Sequence, residues 1–448
     1  MPRRTEERLT MLEHHTLQFW LRGLAGEHPS SSNQPSLSLP FQRWFKFKEA
    51  FAPNLVVECL RSLDYEPASC LDAFGGCGTT GLTAQFLGIK PVLIEVNPFI
   101  ADLAEAKLSE YDLVKLQSCF IEVQRNAMAA RVDDPLAFLG EAPRTFCQSR
   151  KIDRWLFTKP TLARIIAYRQ SIEILQDEPS KRLLKVLLGA CLVPLSNVVV
   201  NGKGRKYRRG WENRESTYRD VDRLFAGAFR MALSDIAIYA SRAGKEYDLY
   251  RGSSLDLVPQ IENVETAIFS PPYPNSFDYT DIYNVELWTL GYLQQRVEDR
   301  ALRTSTLRSH IQVELEERGT APDSKTLREV MRKLTVERDS LWDQRIPEMV
   351  EGYFSDLSTL MSHLKSKLRP DGDAFLIVGD SSYNGIVVDV ARILAETARS
   401  HGYRVVSSTE VRRMRKSAQQ GGRRQLGEHV LRLRTPKRSA KGRNPESS

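Results

Sequence analysis

Residues 68–99, ASCLDAFGGCGTTGLTAQFLGI followed by KPVLIEVNPF, most narrow what this chain can fold into. A short apolar run enters a cluster of glycines, and a helix is expected from Thr79 or Thr80. A second apolar run then ends in the acid Glu95. Glycine admits positive φ and lets the backbone approach a ligand closely. An acid closing the next strand can accept from a ribose diol. The unit predicts a nucleotide-type cofactor site on a parallel sheet; the plainer alternative is a tight turn beside a solvated acid. The spacing is neither G-x-G-x-x-G nor G-x-x-x-x-G-K-[ST], so it argues against a pyrophosphate or a triphosphate.

Five more strand signals follow: YDLYRG (247–252), VETAIFSPPY (264–273), DAFLIVGDS (373–381), YRVVSSTEV (403–411) and HVLRLRT (429–435). With amphipathic helical stretches between them, they predict an open α/β sheet of about seven strands. Helical insertions interrupt it twice. The expected division is an N-terminal helix and linker (1–40), a first half of the sheet domain (41–110), and a helical insertion (111–245). A segment holding the SPPY loop (246–295), a charged helical insertion (296–345), the second half of the sheet domain (346–435) and a basic tail (436–448) follow. Residues 201–216 read as a basic loop, 349–372 as a helix closed by a proline–glycine stop, and the helices of 296–345 as a solvated or partner-facing surface.

SPPYPNSFDY (270–279) ends one predicted strand. Proline fixes its own φ and biases its predecessor toward extended geometry. The loop therefore holds a hydroxyl, bare carbonyls and an aromatic ring in set directions. Such a loop suits an exocyclic base amine, a poor nucleophile whose lone pair is delocalised into the ring. Acceptors at Ser270 Oγ and the Pro271 carbonyl would draw that lone pair out of the ring plane, with Pro272 stiffening the turn. Tyr273 offers a face for an unstacked base, worth ~1–3 kcal/mol against a flipping cost of a few kcal/mol.

D-x-F-x-G-x-G-T-T, Asp72 to Thr80, resembles the S-adenosylmethionine motif of class I methyltransferases. Together with SPPY it resembles the amino-methylating DNA enzymes, prokaryotic modification methylases among them. RWFKFKEAFAPNLVVECL (43–60) is similar to the segment that precedes the loop in that family. The resemblance implies a class I Rossmann-like fold with S-adenosyl-L-methionine as cofactor. Asp72 and the Gly76–Gly78 backbone, with Thr79 and Thr80, would hold the methionine part. Phe74 would pack beside it and Glu95 would bind the ribose, with Asn97 and Phe51 as further candidates. The adenine-side acid of the family's "GD" pair is replaced here by Ser253 and Ser254 after Gly252. The serine form of SPPY resembles cytosine-N4 enzymes, although those often carry the two loops in the opposite order. The chain has no Pro-Cys dipeptide, so the cysteine chemistry of C5 methylation is not expected. Asp380 and Tyr383 are candidates for the base pocket.

The net charge of +8 is uneven, since residues 401–448 hold 13 Lys+Arg against 3 Asp+Glu. Two basic clusters suggest a polyanionic partner. One is Lys203, Arg205, Lys206, Arg208 and Arg209, interleaved with Tyr207; the other includes Arg412, Arg413 and Arg415. Six cysteines without metal-type spacing suggest a reduced, cytoplasmic protein without a bound metal. No membrane span or secretory signal is expected. The reading is a site-specific DNA methyltransferase acting on double-stranded DNA, at cytosine N4 before adenine N6, in a restriction–modification or related system with an endonuclease encoded nearby. The alternatives are an RNA amino methyltransferase and a non-catalytic nucleic-acid-binding protein of the same fold.

Overall fold

The structure is a computed structural model that describes residues 15–23, 32, 34–201, 204–242, 246–274, 278–312, 319, 321–415 and 425–437. Its strands are β1 (Ser69–Asp72), β2 (Lys90–Glu95), β3 (Val198–Asn201), β4 (Gly204–Tyr207), β5 (Asp248–Arg251), β6 (Val264–Phe269), β7 (Leu368–Gly379), β8 (Ser381–Tyr383), β9 (Ile386–Val388), β10 (Arg404–Arg415) and β11 (Gln425–Arg434).

Seven of them form one sheet in the order β5-β2-β1-β6-β7-β11-β10. They are the seven segments expected from the sequence. Pairing is parallel from β5 to β7, and β11 runs antiparallel to both of its neighbours. Counted along the chain, the sheet reads 3-2-1-4-5-7-6. The chain moves outward from β1 through β2 to β5, then returns to lay β6 on the other side of β1. That reversal opens a crevice beyond the carboxyl ends of β1 and β6.

The central strands are buried on both faces, which is why they read as unbroken apolar runs. Leu71, Ala267, Phe269, Leu376 and Val378 pack on one face with the helices Ile346–Lys367 and Val390–Ser400. Their neighbours Cys70, Ile268, Phe375 and Ile377 pack on the other, against Leu55, Val56 and Cys59 of the helix Pro53–Arg61.

The helices Leu113–Ala129, Lys159–Glu173, Glu178–Leu195 and Tyr218–Ile238 share a hydrophobic cluster with the helices Thr79–Phe86 and Pro98–Leu108. Asp235 ties this layer to the segment before the sheet: it accepts from Phe41 N at 3.0 Å and Trp44 Nε1 at 2.9 Å, and pairs with Arg43.

Two local expectations change, and a third lies mostly outside the described residues. The basic stretch read as a loop begins as an antiparallel hairpin, β3–β4, because the β-branched run Val198–Val200 pairs with Arg205–Tyr207. The proline–glycine stop after the long helix lies inside β7: the helix ends at Lys367, the strand starts at Leu368, and a register shift against β6 absorbs Asp371 at φ 59°. Of the N-terminal helix only His15–Leu21 falls among the described residues, where Trp20 stacks on Phe86 with centroids 4.6 Å apart. No helix of the described residues is long and apolar enough to cross a membrane.

Candidate active site

Because β6 lies beside β1, the glycine loop and the SPPY loop leave adjacent strand ends. They line one cleft of about 300 Å³, whose wall includes Asp72, Phe74, Gly76, Cys77, Thr79, Glu95 and Ser270 to Tyr273. Phe51, Asn97, Ser253 and Ser254 also face it. Two segments nearly two hundred residues apart in sequence are thereby brought together.

At the glycine loop, Asp72 Oδ1 accepts from Phe74 N at 3.0 Å. Both Glu95 oxygens accept backbone amides, from Gly76 and Asn97, each at 2.8 Å. The acid therefore braces the glycine turn while its remaining lone pairs stay available. Burial pushes the Asp72 carboxyl up to about 7, opposed by hydrogen bonds from Thr80 and Phe74 and reinforced by the Glu95 charge. Burial also raises Glu95, moderated by the amides of Asn97 and Gly76.

Other candidates also serve the scaffold. Gly78 and Thr80 stand behind the cleft wall. Gly78 opens the helix Thr79–Phe86 at φ 79°, and a Cβ there would come within 3.1 Å of Ala104. Thr80 is fully buried. Asn97 Oδ1 caps the helix Pro98–Leu108 by accepting from Phe99 N and Ile100 N. Ser254 Oγ donates to the Ala73 carbonyl.

Sequence reading missed Lys107. Fully buried beneath the loop, it donates to the Cys77 carbonyl at 2.7 Å and to Gln42 Oε1 at 3.0 Å, and burial lowers its pKa. No motif marks it, since its partners come together only through tertiary packing.

At the SPPY loop, Ser270 Oγ donates to the Ile377 carbonyl of β7 at 2.9 Å. The hydroxyl proton is thus committed to the sheet, and the oxygen keeps its acceptor capacity. Tyr273 OH donates to Glu428 Oε1 of β11 at 2.5 Å, and Glu428 is buried. The ring is held by its tip from a strand 155 residues away. Tyr383 is buried and donates to the Pro274 carbonyl, so it braces the loop from behind. Asp380 accepts from Val390 N at 3.0 Å and is not on the cleft wall.

Phe47 and Tyr283 line the cleft with parallel rings, centroids 5.6 Å apart. The charged insertion also reaches it. Its helices Arg296–Thr304 and Lys325–Val336 are largely surface elements, but Ser305 to Leu307, Ser309 and His310 form part of the wall. Arg308 anchors that stretch by a buried ion pair with Asp356 at 2.7 Å.

The basic candidates divide. Lys203 lies outside the described residues, as does the Arg415 side chain. Arg208 donates to the carbonyls of Ser196 at 3.1 Å and Val193 at 3.0 Å, closing the end of a helix. Arg205 donates to Asn284 Oδ1 at 2.9 Å. Tyr207 packs on Trp211, centroids 5.2 Å apart. Lys206 and Arg209 are exposed. Arg413 pairs with Glu410 at 2.6 Å. Arg412 is exposed yet lines the cleft, 4.0 Å from Glu428.

A sheet ordered 3-2-1-4-5-7-6 with one reversed strand, and a cofactor-type loop facing SPPY across the switch point, define a protein of the class I methyltransferase architecture. Over 84% of its length the chain is 26% identical to Type II methyltransferase M.AvaI, of Nostoc sp. and of Anabaena variabilis, covering 81% of each. Over 88% of its length it is 22% identical to Type II methyltransferase M.BsoBI of Geobacillus stearothermophilus, covering 84% of that chain. Its relatives across most of the chain are thus Type II methyltransferases. A 77-residue stretch, 17% of this chain and 14% of the other, is 32% identical to Type II methyltransferase M.MjaII of Methanocaldococcus jannaschii. No family model matches the chain.

Proposed function

We propose that the chain is a site-specific DNA methyltransferase that moves a methyl group from S-adenosylmethionine to the exocyclic amine of a flipped base, cytosine N4 before adenine N6. The observation that carries the reading is the shared cleft: the glycine loop and SPPY both line one wall of it. The similarity to Type II methyltransferases over 84% and 88% of the chain supports double-stranded DNA as substrate and, in this reading, a cytoplasmic enzyme with an endonuclease partner.

The residues present fit the cofactor. A buried carboxylate at Asp72 suits an ammonium group, a glycine turn leaves room beside it, and Glu95 suits a diol. Bound there, the cofactor supplies an electrophilic methyl on sulfonium. The chain's own part is to place the amine. Ser270 Oγ and the Pro271 carbonyl accept its two N–H groups, which turns the nitrogen lone pair out of the ring plane. Tyr273 bears on the ring face. A cofactor held by Asp72, the glycine turn and Glu95 would supply its methyl group to the amine so placed and would leave as the neutral thioether, and the surplus proton of the alkylated amine would pass to solvent.

Within this reading, the sheet portions 41–110, 246–295 and 346–435 bind cofactor and target base. The 111–245 layer with its β3–β4 hairpin reads the DNA sequence.

The deciding experiment supplies cofactor with a tritiated methyl group to duplex DNA and to RNA. Label entering DNA alone is expected. Label in RNA alone would turn the reading to an RNA enzyme, and binding without transfer would turn it to a non-catalytic protein. Single-molecule sequencing of DNA from expressing cells then gives the base and the site.

The Asp72 value has a direction that can be tested. Between the ordinary carboxylate range and about 7, the folded chain holds a proton on Asp72 that the unfolded chain has lost. Stability without cofactor should therefore fall as pH rises through that window. Binding an ammonium requires the ionised carboxyl, so cofactor affinity should rise with pH up to about 7 and then level off. Calorimetry from pH 5.5 to 8 should show the rise for the unaltered chain and a flat profile for Asp72→Asn. A flat profile for both would place the ammonium elsewhere.

Lys206 and Arg209 are the exposed cations of the hairpin. Reversing both to glutamate should weaken DNA binding and reduce the slope of log affinity against log salt by about 2, since each phosphate contact contributes ~0.9. An unchanged slope would remove the hairpin from the DNA surface.

A further inference from the structure

A second cavity, of about 280 Å³, adjoins the methyl-transfer cleft. It lies between the end of the helix Glu178–Leu195, strand β3, residues 45–49 and the helix Asn284–Thr289, and shares Lys48, Glu49 and Tyr283 with the first cleft. Its walls are mainly apolar, from Phe45, Val193, Val199 and Ile282.

Its polar groups are distinctive. Glu286 faces it and is 2% exposed, and its Oε2 has no hydrogen-bond partner among the described residues. Leaving a buried polar atom unmatched is costly, so this one calls for an explanation. Pro194 sits inside the helix and has no N–H, so the Ala190 carbonyl lacks its usual partner four residues on; both residues line the cavity. Of the cations that line it, Lys46 is exposed, and Lys48 and Arg208 are engaged by carbonyls. Lys48 Nζ donates to the Val200 carbonyl at 2.9 Å, and Arg208 to those of Val193 and Ser196.

What remains is a largely apolar slot, with the Glu286 carboxyl and the Ala190 carbonyl at its wall, beside the place where a base would be methylated. Burial pushes the Glu286 carboxyl up to about 8. At neutral pH it carries a proton and presents a donor and an acceptor side by side. Cytosine and adenine offer the complement, an exocyclic amine next to a ring nitrogen acceptor.

We propose that this cavity receives a second, unstacked base bearing an exocyclic amine, from the same bound DNA, and that Glu286 reads it. The proposal rests on the DNA-methylation reading above. It adds a specificity residue outside the SPPY loop, one that does not touch the reacting amine.

The test uses the full chain and duplexes carrying its methylation site. At each non-target cytosine or adenine in turn, the amine is removed by substituting 2-pyrimidinone or purine, and DNA affinity is measured with S-adenosylhomocysteine present. One position is expected at which the unaltered chain loses about tenfold in affinity, as for a buried hydrogen-bonding group left unpaired. In Glu286→Leu the same substitution should cost less than twofold, and Glu286→Gln, which keeps a donor and an acceptor, should retain most of the discrimination. Equal penalties in the unaltered chain and Glu286→Leu at every position would overturn the proposal while leaving the methyltransferase reading intact. If the unaltered chain transfers no methyl to DNA, that reading fails first and this one with it. Should Glu286→Leu not fold, Glu286→Asp, which withdraws the carboxyl by one methylene, takes its place under the same criterion.

Discussion

Ser270→Ala is expected to slow methyl transfer by ~10²–10³-fold, the range found when one preorganised hydrogen-bonding group is removed from a reacting centre. Cofactor affinity should change by less than about twofold, because the serine hydroxyl bonds to β7 and not to the glycine loop. The Ile377 carbonyl takes the hydroxyl proton, so the oxygen meets an incoming amine only as an acceptor. Alanine leaves that N–H unmatched in a partly closed site. Tyr273 separates two contributions of the same loop. Tyr273→Phe loses the bond to Glu428 but keeps the stacking face; Tyr273→Ala loses both. Alanine should reduce kcat/KM for DNA by ~10–100-fold, as a stacking contact of 1–3 kcal/mol implies, and phenylalanine by less. Single-turnover transfer of tritiated methyl reads both. Unchanged rates in Ser270→Ala and Tyr273→Ala would remove SPPY from the mechanism.

Glu95→Ala should weaken cofactor binding by about 100-fold or more. Two charge-assisted hydrogen bonds brace the glycine turn through this acid, and such bonds contribute ~1.5–3 kcal/mol each. Losing them loosens Gly76 and Asn97 as well as removing the diol acceptor. Glu95→Gln should fall between the two, because its amide can accept from one backbone N–H but presents a donor to the other. Calorimetric titration with S-adenosylhomocysteine measures the loss, and circular dichroism checks the fold. Affinity of Glu95→Ala within threefold of the unaltered chain would mean that the ribose lies elsewhere.

Much of the fold was legible because the central parallel strands, buried on both faces, announce themselves as apolar runs; with the strand signals of β5, β10 and β11 at the sheet's edges, all seven expected segments became strands of the main sheet. The glycine loop was legible for a similar reason. Positive φ at Gly76 and Gly78 restricts the residue type, so the backbone geometry shows in the letters. Gly78 also shows the limit of that reading: its missing side chain makes room for Ala104 behind the cleft, which no local pattern distinguishes from making room for a ligand. Likewise Arg208 belongs to a basic run in sequence, yet it serves to close a helix end.

The chain's own letters were enough to establish the seven-stranded α/β sheet and to single out two loops at strand ends, because backbone conformation and two-sided burial constrain residue choice locally. Only the three-dimensional packing decided that β6 lies beside β1, that Glu428 holds Tyr273, that Lys107 lies beneath the glycine turn, and that a free Glu286 oxygen faces a second cavity. Those pairings join side chains from distant parts of the chain, and glutamate or lysine is as common on a solvated surface. Such a residue acquires its role when folding removes water from around it and sets a partner, or an empty space, in its place.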